Sequence, residues 1–580
     1  MISQSDSLRG REPGVQWLCW RIFHRRRIVG NMYSRRHDLI ACLIIAIAAL
    51  VVFAGGLSLP PLDGFDDDIY VLNNQSRLVI STENIHFWLT SAYFKMYIPL
   101  TMFSYMIDSA IGGVDGFVYH LQNLLWHIVS ACGLLALLRL LKVGPCIALI
   151  TALIWTVHPQ RVESVVWISE RKDVLCAAWY IWGLVLYIHG RNRGKPRTVL
   201  TLIFFILALL SKPMAISFPL ILVLYEWHLA RKVDIGGWVR RLWPYILIAA
   251  VFVPITIAAQ GDAVQAHVPV VRRVAVVVHN LFWYIQKMLV PAGLYPMHSR
   301  VTSDSASVLS VGIVAVLCVV CGDLYRRCCH SSGSLRNWLP LLLAYPVVLA
   351  PVAGFFPLGA IDYADRYSYL PSAALLCLLA VAASRCRCPR ISEHPAFGSM
   401  MAVGCAVAGI VILILGTLSF VYIPTWSSIR QILVISAAHP HPNPMVVHKL
   451  GELNLTDGDL EAADAQANLL LADRVAYISD EQRQLVHAHA HYLKLCIAGR
   501  QSNTVAVLRE FEECKVFLPQ VIGGDAGELA EFLVMIGNLY VSQQQYDAAA
   551  SCAASALKMV PASGPARALL ESLKNRPQKK

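Results

Sequence analysis

Apolar segments of membrane-spanning length recur through the first 422 residues of the chain. A helix needs about 20 mostly apolar residues to cross the hydrocarbon layer of a bilayer. Only 15% of the 580 residues are charged, whereas a soluble protein carries about 25%. The sequence therefore predicts an all-α, polytopic membrane protein. The eleven predicted spans lie at about 38–58, 121–141, 145–162, 173–190, 198–212, 213–229, 241–259, 306–324, 338–357, 367–385 and 399–422.

Basic residues near the ends of these spans predict their orientation. Cytoplasmic loops are enriched in Lys and Arg, and "RIFHRRRIVGNMYSRR" (21–36) precedes the first span. The tail 1–37 is therefore predicted to be cytoplasmic. The segment 274–290 is predicted to be an interfacial or re-entrant helix on the outer side, since a full crossing would invert every later loop. An odd number of crossings then places the C-terminal part on the outer face.

The charge balance changes along the chain. Residues 441–580 contain 16 acidic and 13 basic side chains, whereas the first 440 contain 21 acidic and 36 basic ones. All 14 Trp residues lie at or before Trp426. This shift predicts a membrane domain at 38–424 and a polar domain at 425–580. The basic excess of the first part sets orientation in the bilayer and does not indicate nucleic-acid binding.

The polar C-terminal domain contains a repeat pattern. The stretch "IGNLYVSQQQYDAAASCAASALKMVP" (536–561) fits a tetratricopeptide repeat, 448–474 is a weaker copy, and 481–515 is a degenerate unit. Each unit is a pair of helices that buries its apolar face only by stacking on its neighbours. The alternative is a helical bundle without true repeats. A repeat array of this kind predicts binding of an extended polypeptide, either an acceptor or a partner.

Three consecutive carboxylates, Asp66, Asp67 and Asp68, follow the first span. Neighbouring carboxylates and partial burial raise one another's pKa, which suits a general base. Three Asp side chains also suit a divalent cation, which prefers oxygen ligands. The remaining alternative is a solvated loop, because acidic triplets are common there.

Four further polar clusters are predicted on the same outer face as the acidic triplet. They are "HPQRVESVVWISERKD" (158–173), "SKP" (211–213), "YPMHSR" (295–300) and "DYADRYSYL" (362–370).

The first and the last of these clusters place cations outside, against the usual bias. Cations there predict a site for a lipid phosphate, which Arg binds bidentately and Lys binds as a point charge. The alternatives are snorkelling of long side chains to the interface and ion pairs that only stabilise loops. The predicted phosphate ligands are Arg171, Lys172, Lys212 and Arg366, and the cleft candidates are Asp66, His158, Glu163, Trp167, His298, Arg300 and Asp365.

The order of these motifs resembles a known family. "FDDDIYVLNN", "HPQRVESVVWISERKDVL", "LLSKPM" and "ADRYSYLP", followed by tetratricopeptide repeats, look like the bacterial relatives of the transmembrane-and-tetratricopeptide O-mannosyltransferases. That family belongs to the GT-C glycosyltransferases. The resemblance implies a GT-C membrane fold, a polyprenyl- or dolichyl-phosphate-linked sugar donor, and transfer to a protein hydroxyl with inversion. It implies no definite cofactor, and a divalent cation at the acidic triplet stays open.

The family's paired acidic motif matches Asp67 and Asp68 best, because these two precede the apolar Ile69. The resemblance thus implies Asp67 as the base and Asp68 as its orienting neighbour. Because the repeat array is short, we do not extend mannose as the donor sugar to this chain.

Two other functions compete with a plasma-membrane glycosyltransferase. One is an inactive, membrane-anchored scaffold that binds peptides through its repeats. The other is a transporter of lipid-linked sugars, although transporters usually contain internal repeats in their membrane part.

Overall fold

We describe a computed structural model of the chain at residues 36–229, 234–261, 269–299, 335–355, 361–385, 397–472, 475, 480–523 and 525–574. The regular elements in these ranges are helices, without a strand, so the all-α prediction is confirmed for the described part of the chain. In the membrane-type part, the helices are α1 (Arg36–Ser58), α2 (Asp66–Tyr70), α3 (Gln75–Leu78), α4 (Thr82–Thr90), α5 (Pro99–Gly112), α6 (Gly116–Leu140), α7 (Pro145–Val157), α8 (Val162–Val166), α9 (Arg171–Asn192), α10 (Thr198–Ser211), α11 (Phe218–Leu229), α12 (Ile235–Gln260), α13 (Val270–Leu289), α14 (Leu335–Leu349), α15 (Tyr369–Arg385) and α16 (Phe397–Tyr422).

Six described helical segments are long and apolar enough to cross a membrane, and four shorter apolar helices accompany them. Many large apolar side chains of α12 are exposed, among them Ile246, Leu247 and Val251. A bilayer around these side chains accounts for their exposure, since lipid is the only solvent in which such a surface is stable. The chain is therefore a membrane protein. The predicted span 306–324 lies outside the described residues, and the total of eleven spans stays a prediction.

The helix bounds follow from local sequence signals. Pro145 stands in the first turn of α7, where a missing N–H costs nothing, and α7 ends at Val157, before His158-Pro159. The predicted span 145–162 was therefore too long at its end. Helix α10 ends at Ser211, and a 3-10 turn at Pro213–Ser217 leads into α11. Lys212 lies in extended backbone at this break.

The segment predicted to be interfacial, 274–290, forms most of α13. This helix carries Arg272, whose guanidinium lies 2.7 Å from the carboxylate of Asp362. Trp283 and Tyr284 of α13 pack against Tyr345 of α14. Helix α13 is not among the segments that could cross a membrane by length and composition; its place in the bilayer stays a prediction.

The loop after α1 folds into a small layer of its own. Helices α2 to α5 surround an apolar cluster that includes Tyr70, Trp88 and Tyr105. The Tyr105 hydroxyl donates a hydrogen bond of 2.8 Å to the carbonyl of Ile168, on the turn before α9. The acidic triplet therefore belongs to a packed layer that is fixed to the "ERKD" segment.

The C-terminal part is a series of helices that pack on their neighbours. They are α17 (Ile429–Ala437), α18 (Pro444–Asp457), α19 (Leu460–Leu471), α20 (Asp480–Arg500), α21 (Thr504–Cys514), α22 (Leu518–Ile522), α23 (Ala526–Ser542), α24 (Tyr546–Met559) and α25 (Gly564–Lys574).

The predicted repeat units correspond to the pairs α18–α19, α20–α21 and α23–α24. Gly537 and Tyr540 of the predicted motif are buried in α23. The assignment of these pairs as tetratricopeptide repeats stays a prediction.

The segment 297–299 joins the membrane part to the helix pairs. The Met297 amide donates to the Ser436 hydroxyl at 3.3 Å, and the Asn443 side-chain amide donates to the His298 carbonyl at 3.3 Å. The Ser299 hydroxyl donates to the carbonyl of His441. These bonds fix the first helices of the C-terminal part beside His298, which contacts Asp365.

Candidate active site

Helix ends and short turns bring the predicted polar motifs together at one end of the membrane part. The end of α7, the start of α9, the end of α10 and the turn before α15 all contribute. Hydrogen bonds join the acidic triplet to Ser169, Glu163 to Arg366, and Lys212 to Asp173. The sequence predicted that these motifs share one face, and they meet in a single cluster. Which side of the membrane this cluster faces stays a prediction.

Three cations converge on the carboxylate of Glu170. Lys172 Nζ lies 3.2 Å from Glu170 Oε1, and Lys212 Nζ lies 3.3 Å from Oε2. Arg366 Nε lies 3.3 Å from Oε1. Glu170 ends the 3-10 turn Ile168–Glu170, directly before the first residue of α9. Three of the four predicted phosphate ligands thus share one anionic partner, a residue absent from the predicted site.

Two more carboxylates complete this charge cluster. Asp173 Oδ1 lies 2.5 Å from Lys212 Nζ, and its Oδ2 accepts a hydrogen bond from a Ser hydroxyl. Glu163 Oε1 lies 2.5 Å from Arg366 Nη1, and its Oε2 accepts the backbone N–H of Arg366 at 2.8 Å. Burial raises the pKa of Glu163 to about 7, although Arg366 acts in the opposite direction.

The fourth predicted phosphate ligand, Arg171, points away from the cluster. Its guanidinium is fully buried and lies 2.7 Å from Asp108 of α5. It also donates to the Asn123 side chain and to the carbonyl of Tyr119. These partners fix α5 and α6 to α9. Arg171 is therefore committed to holding the layer of the acidic triplet in place, and its guanidinium is not available to a ligand.

The three Asp residues of the triplet have different environments. Asp67 is 1% exposed, and both of its oxygens accept hydrogen bonds. Oδ2 accepts from the Leu62 amide at 3.0 Å. Oδ1 accepts from the Ser169 amide at 2.9 Å and from its hydroxyl at 2.5 Å. Burial raises the pKa of Asp67 to about 6, which these hydrogen bonds limit.

Asp66 and Asp68 are both partly exposed. Burial raises the pKa of Asp66, while the positive charges of Lys172 and Arg366 lower it. Asp66 therefore faces the charge cluster. Asp68 turns back toward its own loop, where its Oδ2 accepts the Gly64 amide at 3.0 Å.

An aromatic surface borders the cations. The ring of Trp167 packs against Phe65, next to the acidic triplet, with 4.7 Å between centroids. Lys172 and Arg366 lie 5.7 and 5.4 Å from the centre of the Trp167 ring. Lys212 and Arg366 also lie over the ring of Tyr367. These rings strengthen the binding of cations through their quadrupoles. Trp167 is buried and also stacks on Trp426, whereas Tyr367 is half-buried and can meet a ligand.

The remaining cleft candidates lie beside the cluster. His158 is fully buried, its Nε2 lies 3.1 Å from the carbonyl oxygen of Met288, and burial lowers its pKa to about 3. It therefore serves to join α7 to α13. His298 Nε2 lies 3.4 Å from Asp365 Oδ1, and both side chains are buried next to the turn that carries Arg366. Arg300 lies outside the described residues.

Sequence reasoning missed Glu170, Asp173, Ser169 and Asp108 as parts of the site or its support. The first three stand in or beside the "SERKD" string, which itself was noticed. Their roles depend on which side chain each turn directs inward. Asp108 is separated from Arg171 by 63 positions, and no sequence pattern indicated that pair.

In the described ranges, no group of three or more His, Cys, Asp or Glu side chains is arranged to hold a metal ion. The acidic triplet in particular spreads its carboxylates among Leu62, Ser169, Gly64 and the cationic cluster. The geometry therefore gives no support to a divalent cation on Asp66, Asp67 and Asp68 together.

Comparison with curated proteins finds partial similarity to one family. The chain is 31% identical over 139 residues to "Protein O-mannosyl-transferase tmtc2" of Xenopus laevis, covering 22% of this chain and 17% of that protein. It is 29% identical over 167 residues to human "Protein O-mannosyl-transferase TMTC2", covering 27% and 20%. A third relative, "Protein O-mannosyl-transferase Tmtc1" of Drosophila melanogaster, is 28% identical over 120 residues, covering 20% of this chain and 14% of that protein.

These matches support a distant relationship to that family. The chain spans about a fifth of the length of the curated relatives that it matches. No family model matches the chain. No solved structure matches it either.

Proposed function

We propose that the chain is an integral-membrane glycosyltransferase. In this proposal, it moves a sugar from a polyprenyl-phosphate-linked donor to a protein Ser or Thr hydroxyl on the extracytoplasmic face. The observation that carries the proposal is the convergence of Lys172, Lys212 and Arg366 on one point, Glu170, with Asp66 near enough for Lys172 and Arg366 to lower its pKa. The names of the distant relatives add support for sugar transfer to a protein.

The three cations bind the donor phosphate and stabilise the negative charge that it gains as the leaving group. Tyr367, which is half-buried beside Lys212 and Arg366, presents a flat face to the sugar ring. The bond between the anomeric carbon and the phosphate oxygen breaks with its electron pair on the phosphate. The acceptor oxygen forms a new bond on the opposite side of that carbon. This single displacement inverts the anomeric centre and releases polyprenyl monophosphate.

We assign the general base to Asp66, which differs from the sequence-based assignment of Asp67. A base needs a free carboxylate oxygen within reach of the acceptor hydroxyl. Both oxygens of Asp67 accept hydrogen bonds from Leu62 and Ser169, whereas Asp66 is partly exposed and faces the cations. Asp67 then positions α2, and Asp68 fixes the preceding loop.

The C-terminal helix pairs supply the proposed binding surface for the acceptor polypeptide. A cavity of about 760 Å³ lies between α18, α20 and α23. Tyr492, Phe532 and Met535 line it, with Glu452 and Arg500 among its polar residues. Apolar side chains of an extended segment would fill such a groove, while the two charges would set its direction.

The test is comparative glycoproteomics of outer-face proteins in source cells that lack the chain, complemented with variants. We expect the native chain to restore O-linked sugars and Asp66→Asn to restore none, with normal insertion in the membrane. Asp63→Asn is the matched control, because Asp63 is exposed in the same loop; it should restore the sugars fully. Full activity of Asp66→Asn would refute the base assignment. A glycan profile that is unchanged by loss of the chain would refute the function and favour the scaffold.

A further inference from the structure

The buried side chains of the charge cluster are already paired without a substrate, and Asp66 faces them from a partly exposed position. Its three cations, Lys172, Lys212 and Arg366, face three carboxylates, those of Glu163, Glu170 and Asp173. The six side chains are between 1 and 12% exposed. Every cation has at least one carboxylate within 3.3 Å. Buried charges need such partners, because an unpaired charge in a poorly solvated site is strongly unfavourable.

A donor phosphate adds a negative charge to this set of paired side chains. A sugar-phosphate-lipid is a phosphodiester and carries one negative charge. When it binds to the cations, the buried cluster has one carboxylate in excess. The cations hold the new anion well only if a carboxylate leaves or takes up a proton. The three carboxylates are at most 2% exposed, and protonation is the route that leaves them in place.

The three carboxylates differ in how firmly the cations hold them. Glu170 contacts all three cations. Asp173 contacts Lys212 and also accepts the Ser164 hydroxyl. Among the described residues Glu163 likewise contacts one cation, Arg366, which is more exposed than the Lys212 partner of Asp173, at 12% against 7%, and is therefore easier for a phosphate to reach. When Arg366 turns its guanidinium to a phosphate, Glu163 keeps only the backbone N–H of that residue as a partner.

We propose that binding of the donor phosphate is coupled to the uptake of one proton by Glu163. This proposal rests on the proposed function, since it assumes that a phosphate binds at the three cations. The proton neutralises the carboxylate that Arg366 releases, and it leaves again when the product phosphate dissociates and Arg366 returns. The acceptor proton still goes to Asp66, so the two protons move independently.

The surroundings of Glu163 favour the neutral form. It lies on α8, which packs against α6, α9 and the adjoining turns. The charged groups that act on Glu163 from these elements are Arg366, Asp365 and Glu170. The same elements also carry His120, Arg161, Arg171, Lys172 and Asp173. The pKa of Glu163 is raised to about 7, mainly by burial and in smaller part by Asp365 and Glu170, with Arg366 opposing them. Loss of the Arg366 contact would remove that opposing effect.

The test is calorimetric titration of the full chain in lipid nanodiscs with farnesyl methyl phosphate. This phosphodiester keeps one negative charge at all relevant pH values, so it takes up no proton itself. Titration at pH 8 in two buffers with different ionisation enthalpies gives the number of protons taken up. We expect about one proton per bound probe, and a Kd that rises roughly tenfold per pH unit above the pKa of the free site.

Glu163→Gln mimics the protonated side chain. We expect this variant to bind the probe at pH 8 at least as tightly as the native chain, without proton uptake. Asp63→Asn, in an exposed position, should behave like the native chain. Binding of the probe by the native chain without proton uptake would refute the proposal. Unchanged uptake in Glu163→Gln would refute the assignment to Glu163. If that variant does not fold, a Kd of the native chain that is constant from pH 7 to pH 9 refutes the coupling.

Two further probes separate this proposal from the proposed function. Dimethyl phosphate tests the phosphate without a lipid, and farnesyl methyl ether tests the lipid without a phosphate. If the charged lipid binds no better than the ether, no phosphate site exists at the three cations. The proposed donor is then wrong and the coupling falls with it. If the charged lipid binds better but without a proton, only the coupling is wrong.

Discussion

The guanidinium of Arg171 lies 2.7 Å from the carboxylate of Asp108, and both side chains are fully buried. The next residue, Lys172, instead faces the charge cluster around Glu170. Two adjacent cations of one motif therefore have different tasks. Arg171 connects the layer of the acidic triplet to α9, and Lys172 lies among the cations of the charge cluster.

Removal of the Arg171 charge should destabilise the fold. Arg171→Met leaves Asp108 buried without a cation, which costs about 3–5 kcal/mol when one partner of a buried pair is lost. Lys172→Met should instead lower the affinity for a lipid phosphate. Thermal unfolding of the detergent-purified chain measures the loss of stability in Arg171→Met. Arg77→Met is the control, because its ion pair with Glu83 is exposed and should contribute less than about 1 kcal/mol. Equal unfolding temperatures for Arg171→Met and Arg77→Met would contradict the prediction.

Gly116 should be sensitive to a single added methyl group. A Cβ at this position would lie 2.8 Å from the Leu59 carbonyl oxygen and 3.1 Å from Pro61. This segment leads to Leu62, whose amide holds Asp67. Gly116→Ala should therefore displace the acidic triplet and cost about 1–3 kcal/mol through overpacking.

The measurements for Gly116→Ala are the unfolding temperature and the affinity for farnesyl methyl phosphate. Gly144→Ala serves as the control, because a Cβ there would meet no atom within 4 Å. The prediction fails if both variants bind the probe equally well.

Stability should depend on pH through Glu163. Its pKa is raised from 4.5 to about 7 by burial, so the folded chain holds an extra proton between these values. The contribution of Glu163 to the free energy of unfolding therefore falls as the pH rises from about 4.5 to about 7, and it is constant above. Glu163→Gln should remove this part of the pH dependence of the unfolding temperature. Glu83→Gln, which changes an exposed carboxylate, should leave it in place. An identical pH profile for Glu163→Gln and the native chain would show that Glu163 ionises freely.

The junction between the membrane part and the helix pairs should respond to small changes. Ser436→Ala removes the acceptor of the Met297 amide, and Asn443→Asp removes the donor to the His298 carbonyl while keeping an acceptor for the Met445 amide. Both variants should speed hydrogen–deuterium exchange at 295–299, because local opening becomes easier. Ser542→Ala, in an exposed position of α23, should leave exchange unchanged. Unaltered exchange in the first two variants would mean that these bonds do not hold the junction.

Much of the architecture followed from local sequence signals. The predicted span 399–422 lies within α16 (Phe397–Tyr422), and the predicted 198–212 corresponds to α10, Thr198–Ser211. These bounds can be predicted because the length of an apolar stretch, a Pro residue and flanking basic residues are local features of the sequence. The predicted topology also placed the polar motifs on one face of the membrane.

Only the tertiary structure decided which of two residues adjacent in sequence faces the site. Successive residues of a helix point about 100° apart, so Arg171 and Lys172, or Asp66 and Asp67, cannot all face one ligand. Which of them does depends on the 3-10 turn at Ile168–Glu170 and on partners as distant in sequence as Asp108 and Ser169. The sequence determined that a membrane chain would gather carboxylates and cations. Burial and long-range hydrogen bonds decided which of them hold the fold and which can meet a substrate.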